Sequence, residues 1–100
     1  MEIIFVKIKV RPEKRKELSQ TLLSIVERLR LESGCRQACF YQDAENENDF
    51  LMVEEWATQA DSDSHLRSDI FTVLLGAGSL MHRPPEIVMH TVNRSAEVKQ

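Results

Sequence analysis

The chain is predicted to fold as an α+β protein, a ferredoxin-like βαββαβ two-layer sandwich. Three observations predict it. Four segments carry the apolar alternation or density of strands, at residues 3–10, 37–42, 50–56 and 86–92. One long amphipathic segment, about Glu13 to Glu32, follows the first strand, and a shorter helical stretch precedes the last. The resulting order is the split βαβ arrangement, in which both helical segments cover one face of the sheet.

The first strand reads Ile-Ile-Phe-Val-Lys-Ile-Lys-Val. Its even positions (Ile4, Val6, Ile8, Val10) are all apolar, and its odd positions are Ile3, Phe5, Lys7 and Lys9. Arg11-Pro12 stops it. Leu18, Leu22, Ile25, Val26 and Leu29 then recur at the spacing of one buried helical stripe. Ser33-Gly34 ends that helix, glycine being the residue most at ease in a left-handed turn. The polar run Asp43–Asp49 is a hairpin loop between the second and third strands. After Trp56 the helical stretch divides in two, about Asp61 to Arg67 and then Ser68 or Asp69 to Leu75. Asp61 or Ser62 is placed to cap the first part and Asp69 the second. Gly76-Ala77-Gly78 closes this stretch, and Arg83-Pro84-Pro85 forces extended backbone into the last strand. Residues 1–93 form one domain, and 94–100 is a polar tail.

A two-layer sandwich leaves one sheet face to water unless something covers it. Here the third strand places Phe50, Met52 and Trp56 on one face and Leu51 and Val53 on the other. The fourth sets Ile87 and Met89 against Val88 and Val92. Two apolar faces call for a second sheet, and a homodimer is the most economical source of one.

The totals narrow the function. One hundred residues, 42% of them hydrophobic and 29% charged, suit a single globular domain. A net charge of −3 leaves no footprint for nucleic acid or an anionic membrane, and Lys14-Arg15-Lys16 is flanked by Glu13 and Glu17. No secretory pattern follows Met1 and no apolar run approaches a membrane span, so the cytoplasm is the expected location. Cys35 and Cys39, four apart on a strand, lie roughly 13 Å from each other, too far for a disulfide. They are expected to be buried or interface thiols. No further ligands stand near enough for a metal site, and His82 and His90 lack a third partner. There is no phosphate loop, nucleotide fingerprint or hydrolase triad, so any chemistry proceeds without a nucleotide cofactor.

The residues best equipped for chemistry are Trp56, at the end of a strand, and His65, in the helical stretch that follows. Imidazole titrates near neutral pH and takes a proton from a phenol or enol. Read singly, Trp56 is a core or rim aromatic whose ring N–H wants a partner, and His65 a helix-start histidine bonded to backbone. Glu54 and Glu55 point to opposite sheet faces, so they cannot work as an acid and base pair. Tyr41 is a packing residue or a pocket wall.

Taken in order, these segments resemble the antibiotic biosynthesis monooxygenase domain of the dimeric α+β barrel superfamily, over about residues 3–92. The matching pieces are Val10-Arg11-Pro12, Glu32-Ser33-Gly34-Cys35, Tyr41-Gln42-Asp43, Phe50 to Glu54-Glu55-Trp56, and His65-Leu66-Arg67-Ser68. The resemblance implies homodimers whose sheets pack face to face as a barrel. It implies cofactor-free monooxygenation of quinols and aromatic polyketides, with haem degradation and isomerisation of a signalling sugar derivative in other branches. Where haem-degrading members carry tryptophan, asparagine and a ligand histidine, this chain has His65, Lys7 and Leu75, and Glu13 replaces the family's usual glycine. The expectation is a cofactor-independent monooxygenase of a quinol or other phenolic compound, with His65 as base or substrate anchor. Trp56, Tyr41, Phe5 and Phe71 are the expected walls of an apolar pocket. A binding or stress-associated module without turnover, or a cofactor-free isomerase, are the alternatives.

Overall fold

A computed structural model describes residues 1–99. It contains strands β1 (Glu2–Lys9), β2 (Cys35–Gln42), β3 (Asp49–Trp56) and β4 (Glu86–Thr91). Helices α1 (Arg15–Leu29), α2 (Gln59–Leu66) and α3 (Asp69–Gly76) lie between them, with short 3₁₀ turns at Pro12–Lys14 and Ala77–Leu80. All strand pairs are antiparallel, in the order β2-β3-β1-β4. This is the ferredoxin-like α+β fold. Of the expected tail, Gln100 lies outside the described residues.

Pairing register decides which residues share a face. Glu2 pairs with Trp56, Ile4 with Glu54, Val6 with Met52 and Ile8 with Phe50. These side chains turn towards the helices and are buried, together with Leu18, Leu22, Ile25, Val26 and Leu29 of α1. The opposite face carries a row running Cys39–Val53–Phe5–Val88 across all four strands. The helices cover β4 only in part, reaching it where Ser62 Oγ meets Met89 Sδ at 3.7 Å, so Ile87 and Met89 are 37% and 41% exposed although they lie on the helix side.

Several boundaries differ from expectation. Proline favours the first helical positions, and Pro12 opens a 3₁₀ turn before α1 begins at Arg15. The helix ends at Leu29, three residues early, because the chain must turn so that Cys35 can pair with Trp56. The caps are also different. An N-cap residue needs extended backbone, and Thr58 (ψ 162°) and Ser68 (ψ 163°) have it. Thr58 Oγ1 accepts the Asp61 N–H at 3.1 Å and Ser68 Oγ accepts the Phe71 N–H at 3.3 Å. Asp61, the third residue of α2, returns the contact through its carboxylate, which accepts from the Thr58 hydroxyl at 2.9 Å.

Gly34 is the one position where the backbone demands glycine. Its φ is +84°, and a Cβ built there would overlap the Asp61 carboxylate. Gly34→Ala is expected to cost about 2–3 kcal/mol in urea unfolding, of which about 1–2 reflects the left-handed backbone. Adding Asp61→Ala should return only a fraction of the steric part, because the Cβ at position 61 lies 2.7 Å from the added methyl.

Candidate functional site

Strand alternation places Glu54 and Trp56 two apart on the helix side of β3, and Glu55 on the open face. The indole N–H of Trp56 donates to Glu54 Oε1 at 3.0 Å. The last turn of α2 then lays His65 over the tryptophan, ring centroids 4.6 Å apart and planes 20° from parallel. His65 thus ends a helix rather than starting one. Directly after it the chain turns: the Ser68 N–H donates to the His65 carbonyl at 2.9 Å, and Ser68 caps α3. That joint sets Phe71 edge-on against the imidazole, centroids 5.7 Å apart at 74°.

Each imidazole nitrogen faces a carboxylate. Nε2 lies 2.8 Å from Glu54 Oε1, off the axis of a ring N–H, and Nδ1 lies 3.5 Å from Glu32 Oε2. The Nε2 approach is short, but its angle is not that of a hydrogen bond. Glu54 is fully buried and its Oε2 has no partner among the described residues. A carboxylate so placed is costly unless its neighbours compensate. Glu32 is different: its side chain is 25% exposed and reaches water.

The two thiols are free and lie on opposite sides of the sheet. Burial pushes the Cys35 thiol above its ordinary range, and the negative charge of Glu54 pushes it further. Cys39, on the open face, is held below its ordinary range first by the Gln37 amide, 3.3 Å from its sulfur, and then by Tyr41. Through the same contact the Tyr41 hydroxyl is raised.

The predicted site residues divide between the two sides of the sheet. His65, Trp56 and Phe71 meet beneath the helices, whereas Phe5 and Tyr41 lie on the open face. Phe5 packs edge-on against His90, centroids 5.5 Å apart. Tyr41 lines a cavity of about 360 Å³ with Lys7, Leu51, Arg83 and Glu86. Lys7 therefore reaches a cavity, but one across the sheet from His65. Sequence reasoning missed the parts of Glu54 and Glu32 in the site. A carboxylate sharing the strand face of Met52 and Trp56 was the available signal for Glu54; Glu32 carried none.

A four-stranded ferredoxin-like sandwich with a buried Glu–His–Trp array is the class of protein these observations define. Comparison with known proteins goes further. The family model "Antibiotic biosynthesis monooxygenase" matches residues 1–74. A Bacillus subtilis protein named "Putative monooxygenase YcnE" is 33% identical over 82 residues, 81% of this chain and 86% of its own. An uncharacterised protein of Synechocystis is 31% identical over 86 residues, 85% of this chain, and the chain spans only 58% of that relative's length. Among solved structures, a Deinococcus radiodurans protein titled "putative antibiotic biosynthesis monooxygenase" superposes with a TM-score of 0.91 over all of both chains, at 20% identity. A conserved protein of Methanosarcina mazei gives 0.82 at 32% identity, over 90% of this chain and 91% of its own. The chain belongs to the antibiotic biosynthesis monooxygenase family. No helix among the described residues is long and apolar enough to cross a membrane.

His65→Leu would leave the Glu54 carboxylate with the Trp56 N–H as its single partner in the interior, at an expected cost of about 2–3 kcal/mol in chemical denaturation. The double variant His65→Leu/Glu54→Gln should recover more than half, since a neutral amide is cheaper to bury.

Proposed function

We propose that this protein is a cofactor-independent monooxygenase of a quinol or other phenolic small molecule, with His65 as its base or substrate anchor. The observation that carries the reading is the placement of His65. It is buried on Trp56, turns one ring nitrogen to an interior carboxylate, and turns the other towards a carboxylate that water can reach. An imidazole so held takes the phenolic proton, and the phenolate then supplies electrons to oxygen without any other redox group. The balance closes: a phenol and O₂ give a quinone and water, one oxygen atom entering the ring while one ring hydrogen and the phenolic hydrogen leave with the other oxygen as water. Family membership and the monooxygenase name of the Bacillus relative support this class of reaction.

The same reading includes a homodimer through the open sheet face, supported by its apolar row of Cys39, Val53, Phe5 and Val88. It includes a cytoplasmic location, which two unlinked thiols suit. A second reading, capture of an aromatic metabolite without turnover, is favoured by the cavity at Tyr41 and Lys7, which lies apart from His65.

Oxygen uptake with a panel of hydroquinones tests the first reading: wild type should consume oxygen and His65→Ala should lose about 100-fold or more. Equal rates would sink the role of His65. Thermal stabilisation by a panel member without oxygen use would favour capture, and anaerobic turnover would favour isomerisation. For the dimer, Val53→Asp should sediment as a monomer where wild type sediments as a dimer. In that variant the Cys39 thiolate, favoured by Gln37, should be alkylated faster than Cys35, and faster than Cys39 in wild type.

A further inference from the structure

We propose that Glu54 is the positioning residue of His65: its carboxylate holds the ring proton on Nε2, so that Nδ1 presents its lone pair. The inference rests on the reading of His65 as base and says which nitrogen does the work and what arranges it.

A neutral imidazole has one nitrogen that donates and one that accepts, and the hydrogen bond made by one decides the state of the other. Glu54 and Glu32 compete for that decision on unequal terms. Glu54 Oε1 is anchored by the Trp56 N–H at 3.0 Å and belongs to a side chain with no exposed surface; it lies 2.8 Å from Nε2, off the axis of a hydrogen bond but too close for two lone pairs to face each other. Glu32 Oε2 is 3.5 Å from Nδ1, beyond a good hydrogen bond, and water meets part of its demand. The field of the interior carboxylate is also the less screened of the two. The proton therefore sits on Nε2, and Nδ1 is left unprotonated on the side of the partly solvated Glu32 side chain.

This gives each group one task. A phenol approaching from the Glu32 side meets the Nδ1 lone pair. Once the proton has moved, the imidazolium lies against Glu54, which stabilises its charge without itself taking the proton. Glu32, beside the newly formed N–H and in contact with water, is placed to pass the proton out. The other titratable group at the site is the Cys35 thiol of β2, which lies in the field of both carboxylates; α3 contributes the uncharged ring of Phe71.

The test is the tautomer of His65, read from the imidazole ¹⁵N shifts of the neutral ring over a pH series. Wild type should show Nε2 protonated and Nδ1 as a bare acceptor. In Glu54→Gln the amide NH₂ can turn to Nε2, so the tautomer should become mixed or move to Nδ1–H. Oxygen uptake by this variant should lose about 100-fold in kcat with KM little changed, and Glu54→Asp should restore part of it. Nδ1–H in wild type overturns the proposal. So does a Glu54→Gln protein that melts lower but keeps the wild-type tautomer, since that is a packing role alone. If wild type consumes no oxygen, the monooxygenase reading fails and the tautomer still decides this inference. If Glu54→Gln does not fold, the wild-type spectrum and Glu54→Asp decide it.

Discussion

The carboxylate of Glu54 has no exposed surface, and the elements on the helix side of β3 are arranged as its partners. Trp56 can reach it because strand period two brings both residues to one face, close enough for the indole N–H to donate. His65 reaches it because α2 ends directly above that pair, and the sharp Ser68 joint then returns the chain with Phe71 against the imidazole. An interior carboxylate without such neighbours would be among the more expensive features a 100-residue domain could carry. Its presence ties the end of β3, the end of α2 and the start of α3 into one unit.

The sheet is the second constraint, because it divides the aromatic residues into two sets that cannot share a cavity. Phe5 pairs with Val53 on one side and Val88 on the other, all on the open face. Trp56 pairs with Glu2 on the helix face. The open face therefore presents a surface that the sheet separates from the Glu54, Trp56 and His65 array on the helix face. Lys7, Arg83 and Glu86 around the Tyr41 cavity give that surface a polar rim of mixed sign beside its apolar row.

Much of this was legible in the sequence. The strands follow from alternation, α1 from one apolar stripe, and the opposed directions of Glu54 and Glu55 from adjacency alone. The parity of Phe5 against Ile4 was equally visible, but linking it to Trp56 required the β1–β3 register, which no local pattern encodes. The caps were misplaced because Asp61, Ser62 and Asp69 have the right chemistry one or more residues inside the helices, while the backbone at Thr58 and Ser68 is what turns extended. Glu32 was invisible for a different reason: its partner is thirty-three positions away and meets it only through tertiary packing.

That meeting has a local cause. Asp61 and His65 are one turn apart on the same face of α2, and both lie against the turn that follows α1. Gly34 gives Asp61 room, and the Gly34 carbonyl accepts the Ala57 N–H at 2.8 Å just before the helix. Glu32, two residues earlier in that turn, meets His65. The only buried residues of α2 are Ser62 and His65, so it offers no apolar stripe of the kind that docks α1. The helix is held by the glycine turn at one end and by ring stacking and charge at the other. It is also the helix that carries the imidazole.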